Sequence, residues 1–190
     1  MKEAKLYRIL RPIIKFITNT FIKPKYIGLE NIPNNDRIIL AGIHTSIMDP
    51  LLLISSTSRS IHFLAKDELW SGPKKIIFNN LGLIPVNRKI HDHDALVMAK
   101  EYLNHDMVVG IFPEGTTEKG RGLLPFKIGA VKMAKDTNTK IVPFVITGKY
   151  KLFSKNLKIK FGKSIIINDE LDKENKRLRN IIKEMMEDIT

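Results

Sequence analysis

The chain contains no cysteine, which excludes disulfides and thiol nucleophiles and fits a reducing compartment. No apolar run approaches the roughly eighteen residues that a bilayer-spanning helix needs. The N-terminus also lacks the unbroken apolar core of a secretory signal. These two absences predict a protein that stays on the side of the membrane where it is made. Acidic residues are scarce, 20 against 32 basic ones, and the formal net charge is +12. That balance favours an anionic partner, whether nucleic acid, an acidic membrane surface, or an acidic protein or ligand. There is no internal repeat, no low-complexity tract and no Gly-x-Ser-x-Gly nucleophile elbow.

What remains is an ordinary globular composition. With 190 residues, 43% hydrophobic and 27% charged, the chain suits one domain with a sizeable core. Residues 3–22 have helical periodicity. Leu6, Ile9, Leu10, Ile13, Ile14, Phe16, Ile17 and Phe21 share one half of a wheel, with Lys5, Arg8, Arg11 and Lys15 on the other. A basic amphipathic helix of this kind lies in an anionic headgroup layer, or packs its stripe on the domain; Pro12 kinks or delays it. Residues 28–36 form a turn-rich connection. Strands are expected at 38–43, 61–65, 83–86, 107–112 and 141–146. Helices are expected at 73–80, from Asp94 to about residue 103, at 126–135 and at 169–189. Residues 149–163 carry six lysines and no acid, which reads as a lysine-rich strand or hairpin at a sheet edge. The alternation predicts an α/β fold: a single domain with a mostly parallel or mixed sheet covered by helices, plus the N-terminal amphipathic helix.

The organising stretch is 38–50. Its apolar run ends at Ile43, His44 follows, and Asp49 stands five positions later, directly before Pro50. On a continuous helix the two side chains would be about 140° apart, so they meet only if the chain turns between them. A strand, a turn and a helix opening at Pro50 would supply that turn. A plainer reading is also open. Asp before Pro is a helix start, with Asp49 as N-cap, and a histidine at a strand end serves equally as a satisfied polar group. Arg88 and Glu114 also stand at strand ends, where open α/β folds place their sites. Arginine suits a phosphate bidentately, Gly115 and Gly129 permit close approach to a ligand, and Lys127 could assist an anion at a helix start. His91, Asp92, His93 and Asp94 are metal-ligand types, but adjacent loop residues seldom converge on one ion, so no metal is expected. His62 and His105 read as structural.

Four segments carry a resemblance. HTSIMD at 44–49 resembles the HxxxxD motif of the glycerolipid acyltransferase family, and GLIPVNR at 82–88 its second block. FPEGT at 112–116 is similar to the third block, and the proline-centred VP at 142–143 to the fourth, all in family order. LLPFK at 123–127, followed by Gly129 and Ala130, resembles the 1-acyl-sn-glycerol-3-phosphate acyltransferase branch. The branch usually continues after FPEGT with an arginine, and Thr117 stands there instead.

The resemblance implies an acyltransferase moving a fatty acyl group from acyl-CoA or acyl-ACP to the 2-hydroxyl of 1-acyl-sn-glycerol 3-phosphate, giving phosphatidic acid. His44 would be the general base and Asp49 the residue fixing its tautomer. Substrate binding would fall to Arg88, Glu114, Gly115, Thr116, Arg121 and Lys127, the phosphate resting on Arg88 with Arg121 or Lys127. Transfer is expected to be direct, without an acyl-enzyme, and backbone N–H groups near the Pro50 helix start are expected to hold the oxyanion. No cofactor is expected beyond the thioester co-substrate. Residues 1–26 would be the membrane-associating helix and the sole anchor, and 27–190 the catalytic domain, peripheral or monotopic on the cytoplasmic face of the membrane. Lysophosphatidic acid, the acyl thioester and an anionic membrane are the expected partners, and nucleic acid is not. Two rival readings are an acyltransferase for glycerol 3-phosphate or another lysophospholipid, and a basic nucleic-acid-binding protein using 149–163.

Overall fold

The computed structural model describes residues 5–70, 74–87, 93–117 and 122–189. In chain order the elements are α1 (Lys5–Ile17) with a π-helical turn (Thr18–Ile22), β1 (Lys25–Ile27), β2 (Ile38–Gly42), α2 (Asp49–Ser56), β3 (Ile61–Lys66), α3 (Lys74–Asn80), β4 (Ile84–Val86), α4 (His93–Asn104), β5 (Val108–Ile111), α5 (Gly129–Thr137), β6 (Lys140–Thr147), β7 (Lys158–Phe161) and α6 (Leu171–Ile189).

The seven strands form one mixed sheet in the order β1-β7-β6-β2-β5-β3-β4. Strands β2 to β6 run parallel, while β7 is antiparallel to β6 and carries β1 parallel to itself at the edge. The central strand β2 is buried at all five positions, as its unbroken apolar run requires of a strand covered on both faces. Successive side chains divide between two cores. Ile39, Ala41 and Ile43 face α4, α5 and α6, packing with Ala99, Leu103, Val131, Met133, Leu178 and Ile182. Ile38 and Leu40 face the other side, with Leu52 and Leu53 of α2, Tyr7 of α1 and Phe144 of β6. That is the period-2 alternation of a pleated strand.

Three expectations are corrected. The lysine-rich strand is not at an edge: β7 lies between β6 and β1, because residues 25–27 form a strand too short to stand out in the sequence. The 126–135 helix begins only at Gly129; ahead of it the backbone N–H of Lys127 donates to the carbonyl of Pro113 (2.9 Å), tying that stretch to the loop after β5. Asp49 is not an N-cap but lies in the first turn of α2, behind Met48.

The α1 stripe splits. Tyr7 is buried and Ile14 packs beside it against the α2 side of the sheet, while Arg11 donates to the carbonyl of Thr57 (3.2 Å). Ile9, Ile13, Phe16, Ile17 and Phe21 remain exposed. Pro12 is accommodated inside the helix.

Candidate functional site

Because β5, β2 and β6 are parallel neighbours, the segments that leave their C-terminal ends emerge side by side. These segments carry His44, then Phe112 and Glu114, then Tyr150. Gly42 permits the approach of β2 to β6 just below His44: a Cβ there would sit 2.2 Å from the carbonyl oxygen of Phe144. No side chain fits at such a distance.

His44 and Asp49 are in contact, Nδ1 to Oδ2 at 2.9 Å. Asp49 is fully buried, yet its carboxylate is saturated with donors. Oδ2 also accepts the backbone N–H groups of Thr45 (2.6 Å) and Ser46 (2.9 Å). Oδ1 accepts the hydroxyls of Tyr150 (2.6 Å) and, more weakly, Thr45 (3.3 Å). A buried carboxylate keeps its charge only when it is compensated in this way. With Nδ1–H committed to Asp49, the ring nitrogen left to exchange a proton is Nε2. The imidazole also stacks on Phe112, with centroids 3.9 Å apart and planes 16° apart. Its orientation is therefore set from the edge by Asp49 and from the face by Phe112.

Burial pushes the Tyr150 phenol far above its ordinary value, and the neighbouring Asp49 charge raises it further. Its hydroxyl is therefore a permanent donor. Sequence reasoning missed this residue. It lies 101 positions from Asp49, and the one available signal is that it follows the end of β6, as His44 follows the end of β2.

Glu114 joins two loops. Oε1 accepts the backbone N–H of His44 (3.4 Å) and Oε2 that of Leu124 (3.1 Å). Gly115 has φ +70° and lies against Lys127: a Cβ would meet its Cε at 3.2 Å and Nζ at 3.3 Å. Thr116 follows, half-buried. The structure thus gathers His44, Asp49, Glu114, Gly115, Thr116 and Lys127 at one end of the sheet. Arg88 and Arg121 lie outside the described residues, as do His91 and Asp92. Among the described residues no three His, Asp or Glu side chains cluster as metal ligands. Most of the N–H groups expected to hold an oxyanion are engaged otherwise. Those of Thr45 and Ser46 bind Asp49, that of Met48 the Ser46 hydroxyl, and those of Asp49 and Leu51 the carbonyls of Ser46 and Met48. His62 and His105 bond the backbone carbonyls of Gly82 and Glu101 through Nδ1 (2.8 Å each).

Comparison with known proteins adds an independent line. Residues 23–147 match the family model described as Acyltransferase. The chain is 34% identical over 172 residues to 1-acyl-sn-glycerol-3-phosphate acyltransferase of Borreliella burgdorferi, covering 84% of this chain and 68% of that protein. It is 26% identical over 159 residues to the alpha form of 1-acyl-sn-glycerol-3-phosphate acyltransferase of Homo sapiens, covering 82% of this chain but only 56% of the human protein. In fold it is similar to the crystal structure of the 1-acyl-sn-glycerophosphate acyltransferase PlsC from Thermotoga maritima. The TM-score is 0.78 at 22% identity, covering all of this chain and 83% of that one.

Proposed function

This chain belongs to the acyltransferase family, and on that premise we propose that it esterifies the 2-hydroxyl of 1-acyl-sn-glycerol 3-phosphate to give phosphatidic acid. The donor is an acyl thioester of coenzyme A or acyl carrier protein, and no further cofactor takes part. The observation that carries the reading is the His44–Asp49 contact (2.9 Å) beyond the C-terminal end of β2, in a chain similar to proteins named for this reaction.

An alcohol is too weak an acid to attack a thioester unaided. As its oxygen bonds to the acyl carbon, His44 Nε2 takes the hydroxyl proton, and Asp49 stabilises the imidazolium. Collapse of the tetrahedral intermediate breaks the C–S bond, and the proton passes to the departing thiolate. Arg88, Arg121 and Lys127 are assigned to the acceptor phosphate, with Glu114, Gly115 and Thr116 shaping its site. Three cationic groups suit a dianionic phosphate even though Thr117 replaces the usual arginine.

No helix among the described residues is long and apolar enough to cross a membrane. The proposed attachment is peripheral, on the cytoplasmic face. It uses the exposed Ile9, Ile13, Phe16, Ile17 and Phe21 with Arg8 and Lys15 beside them, a combination suited to anionic headgroups.

The test is turnover of lysophosphatidate with each thioester donor, by the wild type and by His44→Ala. General-base catalysis is worth about 10²–10⁴-fold, so the variant should lose activity on that scale while keeping the wild-type circular dichroism. Turnover within a few-fold of wild type would remove the base from His44. Absence of wild-type turnover with lysophosphatidate, but activity on glycerol 3-phosphate, would reassign the acceptor.

A further inference from the structure

The segment between β6 and β7, residues 148–157, is held at two points and exposed between them. At its base Tyr150 donates to the buried Asp49 carboxylate (2.6 Å). At its tip Leu152 and Phe153 are 65% and 64% exposed. The tip is not loose. The Phe153 backbone N–H donates to the carbonyl of Phe21. The two phenyl rings meet edge to face, with centroids 5.8 Å apart. The Lys23 ammonium stands 5.7 Å from the Phe153 ring centre. Phe153 is also left-handed, with φ +56°, an outlier for a bulky residue that persists only where the surroundings impose it. A soluble loop gains nothing by straining its backbone to show a phenylalanine to water.

Through Phe21 the tip continues the exposed face of α1 formed by Ile13, Phe16 and Ile17. Lys149, Lys151 and Lys155 are exposed and flank the tip in sequence, and the segment contains no acid. An apolar tip flanked by cations matches an anionic bilayer surface, with rings below the headgroups and ammonium groups among the phosphates.

We propose that the 148–157 loop is a second lipid-contacting element, which inserts Leu152 and Phe153 into an anionic membrane beside α1. This deepens the reading above, in which α1 alone makes the attachment. Because the same loop reaches Asp49 through Tyr150, the element sets the catalytic pair at a fixed height over the lipid.

The experiment uses the full chain and vesicles of 30% phosphatidylglycerol in phosphatidylcholine, and involves no turnover, so it stands or falls apart from acyl transfer. Phe153→Trp is expected to be quenched by brominated acyl chains more strongly than the wild type, whose one tryptophan is Trp70. Leu152→Ser/Phe153→Gly suits the left-handed backbone. It is expected to keep the wild-type circular dichroism and to partition into the vesicles at least 10-fold more weakly. Val97→Ser, at an exposed apolar position on α4, is expected to partition as wild type. Bound Phe153→Trp protein showing no added quenching overturns the proposal, as does wild-type partitioning by the double variant. So does lipid-free self-association that the double variant abolishes, which would make the tip a contact between copies of the chain.

Discussion

Replacing Tyr150 with phenylalanine removes a single oxygen and keeps the ring, so packing is preserved and only the bond to Asp49 is lost. The Oδ1 atom then keeps the Thr45 hydroxyl at 3.3 Å, while Oδ2 keeps His44, Thr45 and Ser46 at 2.6–2.9 Å. A hydrogen bond to a charged group is worth about 1.5–3 kcal/mol net. That range is the expected loss of folding stability in a denaturant titration at pH 7. The kinetic effect is more specific. Four donors still hold the carboxylate, so only part of that energy should reach the transition state. A loss of about 1.4 kcal/mol there lowers kcat about tenfold.

The wild-type phenol stays protonated because burial and the Asp49 charge hold it well above its ordinary value. It therefore donates to the carboxylate at every working pH, and its loss should lower kcat by the same factor across the pH profile. The assay is initial rate against pH with a water-soluble short-chain lysophosphatidate. Lost stability with wild-type kcat would refute the positioning role and leave Tyr150 a structural bond.

Other consequences can be checked separately. Gly115→Ala forces a side chain into φ +70° against Lys127. It should cost about 1–2 kcal/mol of stability and raise KM for lysophosphatidate more than it lowers kcat; equal effects on both would detach Gly115 from the acceptor site. At Glu174 burial pushes the carboxyl up, but the N–H groups of Asn168 and Asp169 and the Arg177 guanidinium outweigh it and hold the group below its ordinary value. A depressed carboxyl stabilises the fold above its unfolded value, about pH 4.3, and that contribution fades as the pH falls through the lower folded value. Glu174→Gln should therefore lose about 1–3 kcal/mol at pH 7 and distinctly less at pH 3, as read from urea midpoints. An equal deficit at both pH values would reject the electrostatic account.

Much of this molecule was written in local chemistry. The apolar run at 38–43 reads as a buried strand, and Pro50 as an early helical residue. The turn between them was the one way for His44 and Asp49 to meet. The FPEGT and HxxxxD segments carried the family because their residue types and spacing are visible without folding. Periodicity likewise revealed α4 and α6, whose apolar stripes are regular. Strand β1 was hidden because three residues, Lys25, Tyr26 and Ile27, carry no period of their own. It is a strand only because β7 offers it an edge. With it vanished the expectation of β7 at the margin. The start of α5 was hidden for a similar reason, because a long-range bond from Lys127 to Pro113 ties that stretch to the loop after β5, which periodicity does not reveal.

The site's long-range support belongs to tertiary structure. Tyr150 reaches Asp49, Phe112 stacks on His44, and Glu114 bridges His44 to Leu124, because parallel β5, β2 and β6 deliver their C-terminal ends to one place. Chain order contains the partners, but their proximity arises from strand order, which depends on how two apolar faces are buried at once. Local sequence, through one turn, brings His44, Thr45 and Ser46 to the Asp49 carboxylate. Only the packed sheet adds the Tyr150 hydroxyl from 101 positions away, because that contact requires two strand ends to lie side by side.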